Sequence, residues 1–161
     1  MSNIDTIDKK IVDLLFEDGR MSCTNIAQRI GDISERSVRY RINRLIKQGI
    51  IHITPVVSPQ AIGYLVLADV SVETEPNCLM EVANKIAKHQ LVCYVACTTG
   101  DRDLNIQVLA HNNSELYSFV TEVIGKIPGV RKTTTSIIPL TLKDVHQWHI
   151  PSLADENIPD K

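Results

Sequence analysis

Between Ser22 and Lys47 the chain reads SCTNIAQRIGDISERSVRYRINRLIK, two apolar patterns of helical period separated by a single glycine. This stretch restricts the fold more than any other. Ser22 and Ser34 each stand where a hydroxyl can accept a bond from an otherwise unpaired first-turn amide, so each opens a helix. Ile26, Ala27 and Ile30 mark the inward side of a first helix over about 23–30, and Gly31 suits the turn. The second helix runs from Glu35 to about Gln48, with Val38, Ile42, Leu45 and Ile46 facing a core and Gly49 placed to stop it. Two capped helices joined so tightly can pack only as a crossed pair.

The far side of the second helix carries Arg36, Arg39, Tyr40, Asn43, Arg44 and Lys47. From Arg29 to Lys47 there are six basic residues against two acidic ones. A charged helix face is commonly a solvated surface and nothing more. Here the charge sits on the second member of a capped pair, and a helix fits the major groove, where arginine and asparagine match base-edge acceptors and donors. The expected contacts to double-stranded DNA are Ser34, Arg36, Ser37, Arg39, Tyr40, Arg41, Asn43 and Arg44. The two serines, near the helix N-terminus, would help seat a phosphate. Arg41, beside Ile42, is open to phosphate contact or to packing within the protein.

Ile4, Ile7, Ile11, Leu14 and Leu15 mark one side of a preceding helix, with Asp5 and Asp8 in its N-terminal part, where negative charge is favourable. Three helices of this size share one small core, which needs help from elsewhere in the chain or from a partner. The formal net charge of −2 excludes a generally cationic protein, so any DNA binding must come from a local surface. No apolar run approaches membrane-spanning length and no secretory leader opens the sequence. Cys23, Cys78, Cys93 and Cys97 show no strong metal spacing and are read as structural thiols. The expectation is a cytoplasmic protein.

After Gly49 the pattern changes. IIHITPVV is short and β-rich and is expected to form a wing and an exit strand. Residues 64–72 alternate, with Tyr64, Val66, Ala68, Val70 and Val72 on one face and Leu65, Leu67, Asp69 and Ser71 on the other. Leu79, Val82, Ala83 and Ile86 follow at helical spacing. Two strands come next, LVCYVAC and one carrying Leu104, Ile106, Val108 and Ala110, joined by Thr98-Thr99-Gly100-Asp101-Arg102. Asn113 is placed to cap a helix with Leu116, Phe119, Val120, Val123 and Ile127, which Pro128-Gly129 breaks before a last strand from Val130 to about Leu140. The order β-α-β-β-α-β is the split βαβ arrangement, an antiparallel four-stranded sheet with two helices on one face. The other face, partly apolar through Leu65, Leu67 and Leu109, would be covered most simply by a second subunit.

In residues 3–142 the chain resembles the Lrp/AsnC (feast-or-famine) transcriptional regulators. The likeness rests on IDTIDKKIVDLL, Gly19-Arg20, Ser22, Ile26-Ala27, Gly31, Ser34, Val38, Arg41-Ile42, Leu45, Gly49-Ile50 and the Pro59 to Gly63 linker. Further on, Gly100-Asp101-Arg102-Asp103 is similar to the family's Gly-x-x-Asp loop, and Pro128-Gly129-Val130 with Thr133 and Thr135 to its last-strand motif. The resemblance implies an α+β protein: an N-terminal winged helix-turn-helix followed by a ferredoxin-like βαββαβ regulatory domain. The implied divisions are a helix-turn-helix over 1–50, a wing and linker strand over 51–62, an effector-binding and oligomerisation domain over 63–142, and a tail over 143–161. It implies a homodimer that can assemble into tetramers or octamers, no cofactor, and an amino-acid effector held between dimers. Carried over by position, the effector residues are Gly100, Asp101, Arg102 and Asp103, with Thr133 and Thr135 nearby. Asp103 or Asp101 would pair the ammonium, and the Gly100 amide and threonine hydroxyls would hold the carboxylate.

Two departures from the family pattern matter. The turn Gly31-Asp32-Ile33-Ser34 is one residue longer than the family's usual one, and Arg102 stands where an aromatic residue is frequent. The arginine favours an acidic or amide ligand, or marks a turn that is only a turn, since glycine and aspartate also make good hairpins. Enzyme readings are weak: Asp101 and Asp103 have no histidine base or metal cluster beside them, and His146 and His149 lie in the tail. The function expected is a sequence-specific transcriptional regulator responsive to an amino acid; the alternative is an effector-independent architectural protein that wraps DNA through oligomerisation.

Overall fold

The structure is a computed structural model and describes residues 4–151. The chain forms two compact units, one of residues up to Val56 together with those from Asp144 on, the other of Val57–Lys143.

The first unit holds helices α1 (Thr6–Glu17), α2 (Cys23–Ile30) and α3 (Glu35–Lys47). Each begins at a side-chain cap. Asp5 accepts from the Asp8 amide at 2.8 Å, Ser22 from Asn25 at 3.1 Å and Ser34 from Ser37 at 3.2 Å. The Asp5 amide in turn donates to the Asp8 carboxylate, which closes a capping box. After α1, Asp18 takes the Arg20 amide in a local turn, so the helix stops two residues before Gly19. Ile11, Leu14, Ile26, Ala27, Val38 and Ile42 make the shared core. Ile46 departs from expectation, being 41% exposed. The stripe Val38, Ile42, Leu45 is already buried, and helical spacing cannot tell whether a neighbour exists to cover a fourth residue.

The expected wing and exit strand over 51–62 form no ladder. Residues 51–58 carry no regular structure, with Ile53, Val56 and Val57 exposed, and a single 3-10 turn follows at Gln60–Ile62. A strand needs a partner for its amides and carbonyls, and Pro55 and Pro59 remove two of the donors. Of the described residues after Asp144, His149 and Pro151 contact α1. Lys9 Nζ donates to the Pro151 carbonyl at 2.9 Å, and the His149 ring packs against Phe16 in a tilted arrangement, centroids 4.3 Å apart and planes at 43°.

The second unit is the predicted sheet with two helices. Strands β1 (Val66–Thr74), β2 (Val92–Cys97), β3 (Leu104–Ala110) and β4 (Val130–Ile138) lie in the order β2-β3-β1-β4, all neighbours antiparallel. Helix α4 spans Leu79–Ile86. Helix α5 begins at Asn113 and its cap is Asn112, which accepts from Glu115 at 2.9 Å; the residue expected to cap is thus the first inside the helix. After Ser118 it continues as a π-helical turn, Phe119–Val123, and a 3-10 turn, Ile124–Lys126. Ala68, Val70, Val72, Leu104, Ile106 and Val108 are fully buried against Val82, Ile86, Leu116, Phe119 and Ile124. Leu67, Asp69, Asn105, Gln107 and Leu109, of opposite parity, are half-buried on the face without helices.

Candidate nucleic-acid interface and turn site

The cap at Ser34 and the buried stripe of α3 fix which way that helix faces. Ser34, Arg36, Ser37, Arg39, Tyr40 and Asn43 are all exposed, Tyr40 at 68%. Ser34, Glu35, Arg36 and Arg39 line a shallow hollow at the helix N-terminus. Ser34 Oγ also bonds Ser37 Oγ at 3.2 Å, so both hydroxyls and the free amides of the first turn lie together.

Arg41 and Arg44 are placed elsewhere. Arg41 Nη1 donates to Asp5 Oδ2 at 2.7 Å and to Asp8 Oδ1 at 2.8 Å, and Arg44 Nη2 donates to Asp8 Oδ2. Asp8 has no exposed surface. The Arg41 guanidinium holds the Asp5 carboxyl below the usual range, and Asp5 and Asp8 together raise Arg41. This cluster ties α1 to α3. It takes up the open alternative for Arg41 as packing within the protein, and it turns Arg44 away from the exposed row.

Pairing reduces the basic surface further. Arg29 is paired with Glu17, and Arg39 with Glu35 one turn before it. Among the described residues, Arg36 and Lys47 alone of the six basic residues in this stretch have no carboxylate within 4.0 Å. Magnitude separates these pairs. An exposed pair four residues apart on a helix contributes about 0.3–0.5 kcal/mol, so Arg39 exchanges Glu35 for a phosphate at little cost. Breaking a buried pair costs about 3–5 kcal/mol, so Arg41 and Arg44 stay with Asp8.

In the second unit the turn after β2 is held from several sides. The Thr98 amide donates to the Asp103 carbonyl at 2.9 Å, and the Asp103 amide to the Val72 carbonyl at 3.1 Å. Asp103 Oδ2 accepts from the Thr74 amide at 2.7 Å and the Thr74 hydroxyl at 3.2 Å, so this oxygen anchors the turn to β1. Arg102 Nη1 donates to Ser71 Oγ at 2.7 Å. Gly100, at φ +132°, has open space where a side chain would be, and Asp101 is exposed. Thr133 and Thr135 pair with Val72 and Val70 and therefore share the helix-covered face. On the Ser71 face β4 places Lys132, Thr134, Ser136 and Ile138. The structure thus brings Gly100, Asp101, Arg102 and Asp103 together, and sets Thr133 and Thr135 on the other side of the sheet from the Arg102–Ser71 contact. Which threonines and serines of β4 share the Ser71 face follows from strand register alone.

A model of the winged helix-turn-helix DNA-binding domain matches residues 4–52, and one of the Lrp/AsnC ligand-binding domain matches residues 67–147. An uncharacterised HTH-type transcriptional regulator of Pyrococcus horikoshii is 38% identical over 146 residues, covering 90% of this chain and 89% of its own. The chain belongs to the Lrp/AsnC family. It is a DNA-binding transcriptional regulator with a ligand-binding domain. The HTH-type transcriptional regulator FL11 of Pyrococcus abyssi, 35% identical, covers 92% of this Lrp/AsnC chain and 97% of its own. A Neisseria meningitidis transcriptional regulator, solved as its complex with L-Met, shares the fold at a TM-score of 0.82 and 22% identity, over 88% of this chain and 94% of that one. Among the described residues no helix is long and apolar enough to cross a membrane.

Proposed function

We propose that this Lrp/AsnC regulator reads specific DNA sequences through the exposed row of α3, works as a dimer, and answers to a small amino-acid-like effector near the turn at Gly100. The observation that carries the reading is that row. Ser34, Arg36, Ser37, Arg39, Tyr40 and Asn43 lie exposed on a helix whose other side is buried in the three-helix core. Ser34 and Ser37, with the first-turn amides, take a phosphate; Arg36, Arg39 and Asn43 are suited to base edges. Arg41 and Arg44 support the surface from behind and are not counted as contacts.

For the effector, the Neisseria regulator's complex with L-Met supports an amino acid. The exposed Asp101 and the Arg102 guanidinium, beside the open backbone of Gly100, favour a ligand with a polar side chain. The architectural alternative draws on one observation: Arg102 and Asp103 already have partners within the chain.

The test is an anisotropy titration on a duplex selected from a random pool, with and without each of the twenty amino acids. Reversing the charge at Arg36 and Arg39 together is expected to abolish selective binding while the melting transition stays in place. Unchanged affinity in the double variant overturns the α3 assignment. A failure of every amino acid to alter affinity or assembly selects the architectural reading.

A further inference from the structure

The cluster behind α3 has a property that its position alone does not explain. Asp8 is a carboxylate with no exposure, on a helix other than α3, and both its oxygens are occupied by arginines of α3. Those arginines lie 33 and 36 residues further along the chain. A fully buried carboxylate is costly unless it is paired and hydrogen-bonded, and here every contact that offsets the cost comes from α3 or from the Asp5 amide. Arg41 and Arg44 are three residues apart, so together they grip the carboxylate from one side of the helix. The buried stripe of Val38, Ile42 and Leu45 sets which side of α3 faces the core; two convergent contacts to one carboxylate restrict the remaining small rotations of the helix more closely than a single contact would. Arg44 Nε is buried without a partner, so its guanidinium is held only through the Asp8 contact and is sensitive to any change there.

We infer that Asp8 is a positioning residue for DNA recognition, acting through Arg41 and Arg44 to set the rotation of α3 and so the direction of Arg36, Arg39 and Asn43. The inference rests on the α3 reading above. It assigns Arg44, in the C-terminal half of the helix, to selectivity without phosphate contact. Sequence-independent affinity comes from phosphates, whereas selectivity depends on where side chains meet base edges, so a rotation of α3 lowers the second far more than the first.

The experiment compares full-length wild type, Asp8→Asn, Arg44→Gln and Arg36→Ala on the selected duplex and on a scrambled duplex of equal length, across a salt series. Melting by circular dichroism is followed on each. Asp8→Asn is expected to weaken binding to the selected duplex by about tenfold or more, the discrimination carried by a single base contact, while binding to the scrambled duplex is kept or tightened by the released guanidinium groups. Arg44→Gln is expected to lose the same selectivity with no change in salt slope. A slope reduced by about one unit would make Arg44 a phosphate contact and overturn the inference. A lowered melting temperature with selectivity intact in both variants would leave Asp8 a purely structural residue, which also overturns it. Should Asp8→Asn fail to give a cooperative melt, Arg44→Gln decides alone, because Asp8 keeps Arg41 as its partner. Arg36→Ala separates the two levels: if it binds both duplexes like wild type, the α3 reading itself fails, whatever Asp8 does.

Discussion

At the scale of single residues, Gly129 shows how a backbone position can be fixed by two demands at once. Its φ of +93° is one that side-chain-bearing residues rarely adopt, and a Cβ there would come 2.7 Å from Cys78 Cβ. Its carbonyl also accepts the Glu75 amide at 2.7 Å, so the position holds the start of β4 against the end of β1. Gly129→Ala is therefore expected to destabilise the second unit by about 2–4 kcal/mol, from backbone strain and overpacking together, as a denaturant titration would measure. The Pro128-Gly129 break is plain in the sequence; the close approach of Cys78 is not, because it comes from an element fifty residues earlier. The same distinction runs through the recognition helix. Ser34 as a cap needs only its own neighbours and is read directly. Arg44 looks like a surface arginine until Asp8 of another helix is set beneath it. Long-range pairing is the part of a site that periodicity cannot reveal.

At the scale of elements, α1 and α3 are joined by the ion cluster as well as by their apolar stripes, which makes their contact pH-dependent. Asp5 has its carboxyl held low, first by the Arg41 hydrogen bond and then by the amide of Asp8, from an ordinary value of 3.8. A depressed carboxylate stabilises the fold fully above its unfolded pKa, and this contribution is lost as pH falls through the folded value. The first unit should accordingly lose stability on the acid side below about pH 4, and Asp5→Asn should flatten that loss while lowering stability at neutral pH. Melting temperature against pH for the two proteins checks this; parallel curves would show that Asp5 contributes nothing. The element boundaries of α2 were legible because a serine opens that helix and a glycine closes it. Residues 51–58 form no strand, since a β-rich composition between prolines supplies no second strand to pair with. Register was also hidden: Thr133 and Thr135 look like partners of the turn in sequence, yet pairing with Val72 and Val70 puts them on the helix-covered side.

At the scale of the whole molecule, the helix-free face of the sheet is the surface proposed here for assembly. Its central positions are Asp69, Ser71, Asn105 and Gln107, framed by Leu67 and Leu109. Asp69 Oδ1 and Asn105 Oδ1 are both buried without a hydrogen-bond partner, an arrangement that a lone sheet face pays for without return. A second copy laid across this face by a two-fold axis would bring the donors of its own Asn105 and Gln107 amides to these acceptors and cover the leucines. Self-complementary contact of this kind makes a closed dimer, and two α3 helices would then meet DNA at half-sites about one turn, roughly 34 Å, or a multiple apart. Because the interface is isologous, one substitution acts twice. Gln107 faces Asp69 across the β1–β3 ladder, so Gln107→Glu sets like charges side by side in each subunit and again across the axis. Light scattering at micromolar concentration is expected to give at least a dimer for the wild type and a shift toward monomer for Gln107→Glu, with selective DNA affinity falling alongside, since a monomer offers only one half-site reader. A wild type that scatters as a monomer with and without DNA would remove the sheet face as the interface, and would leave the two orphaned oxygens to be satisfied by water.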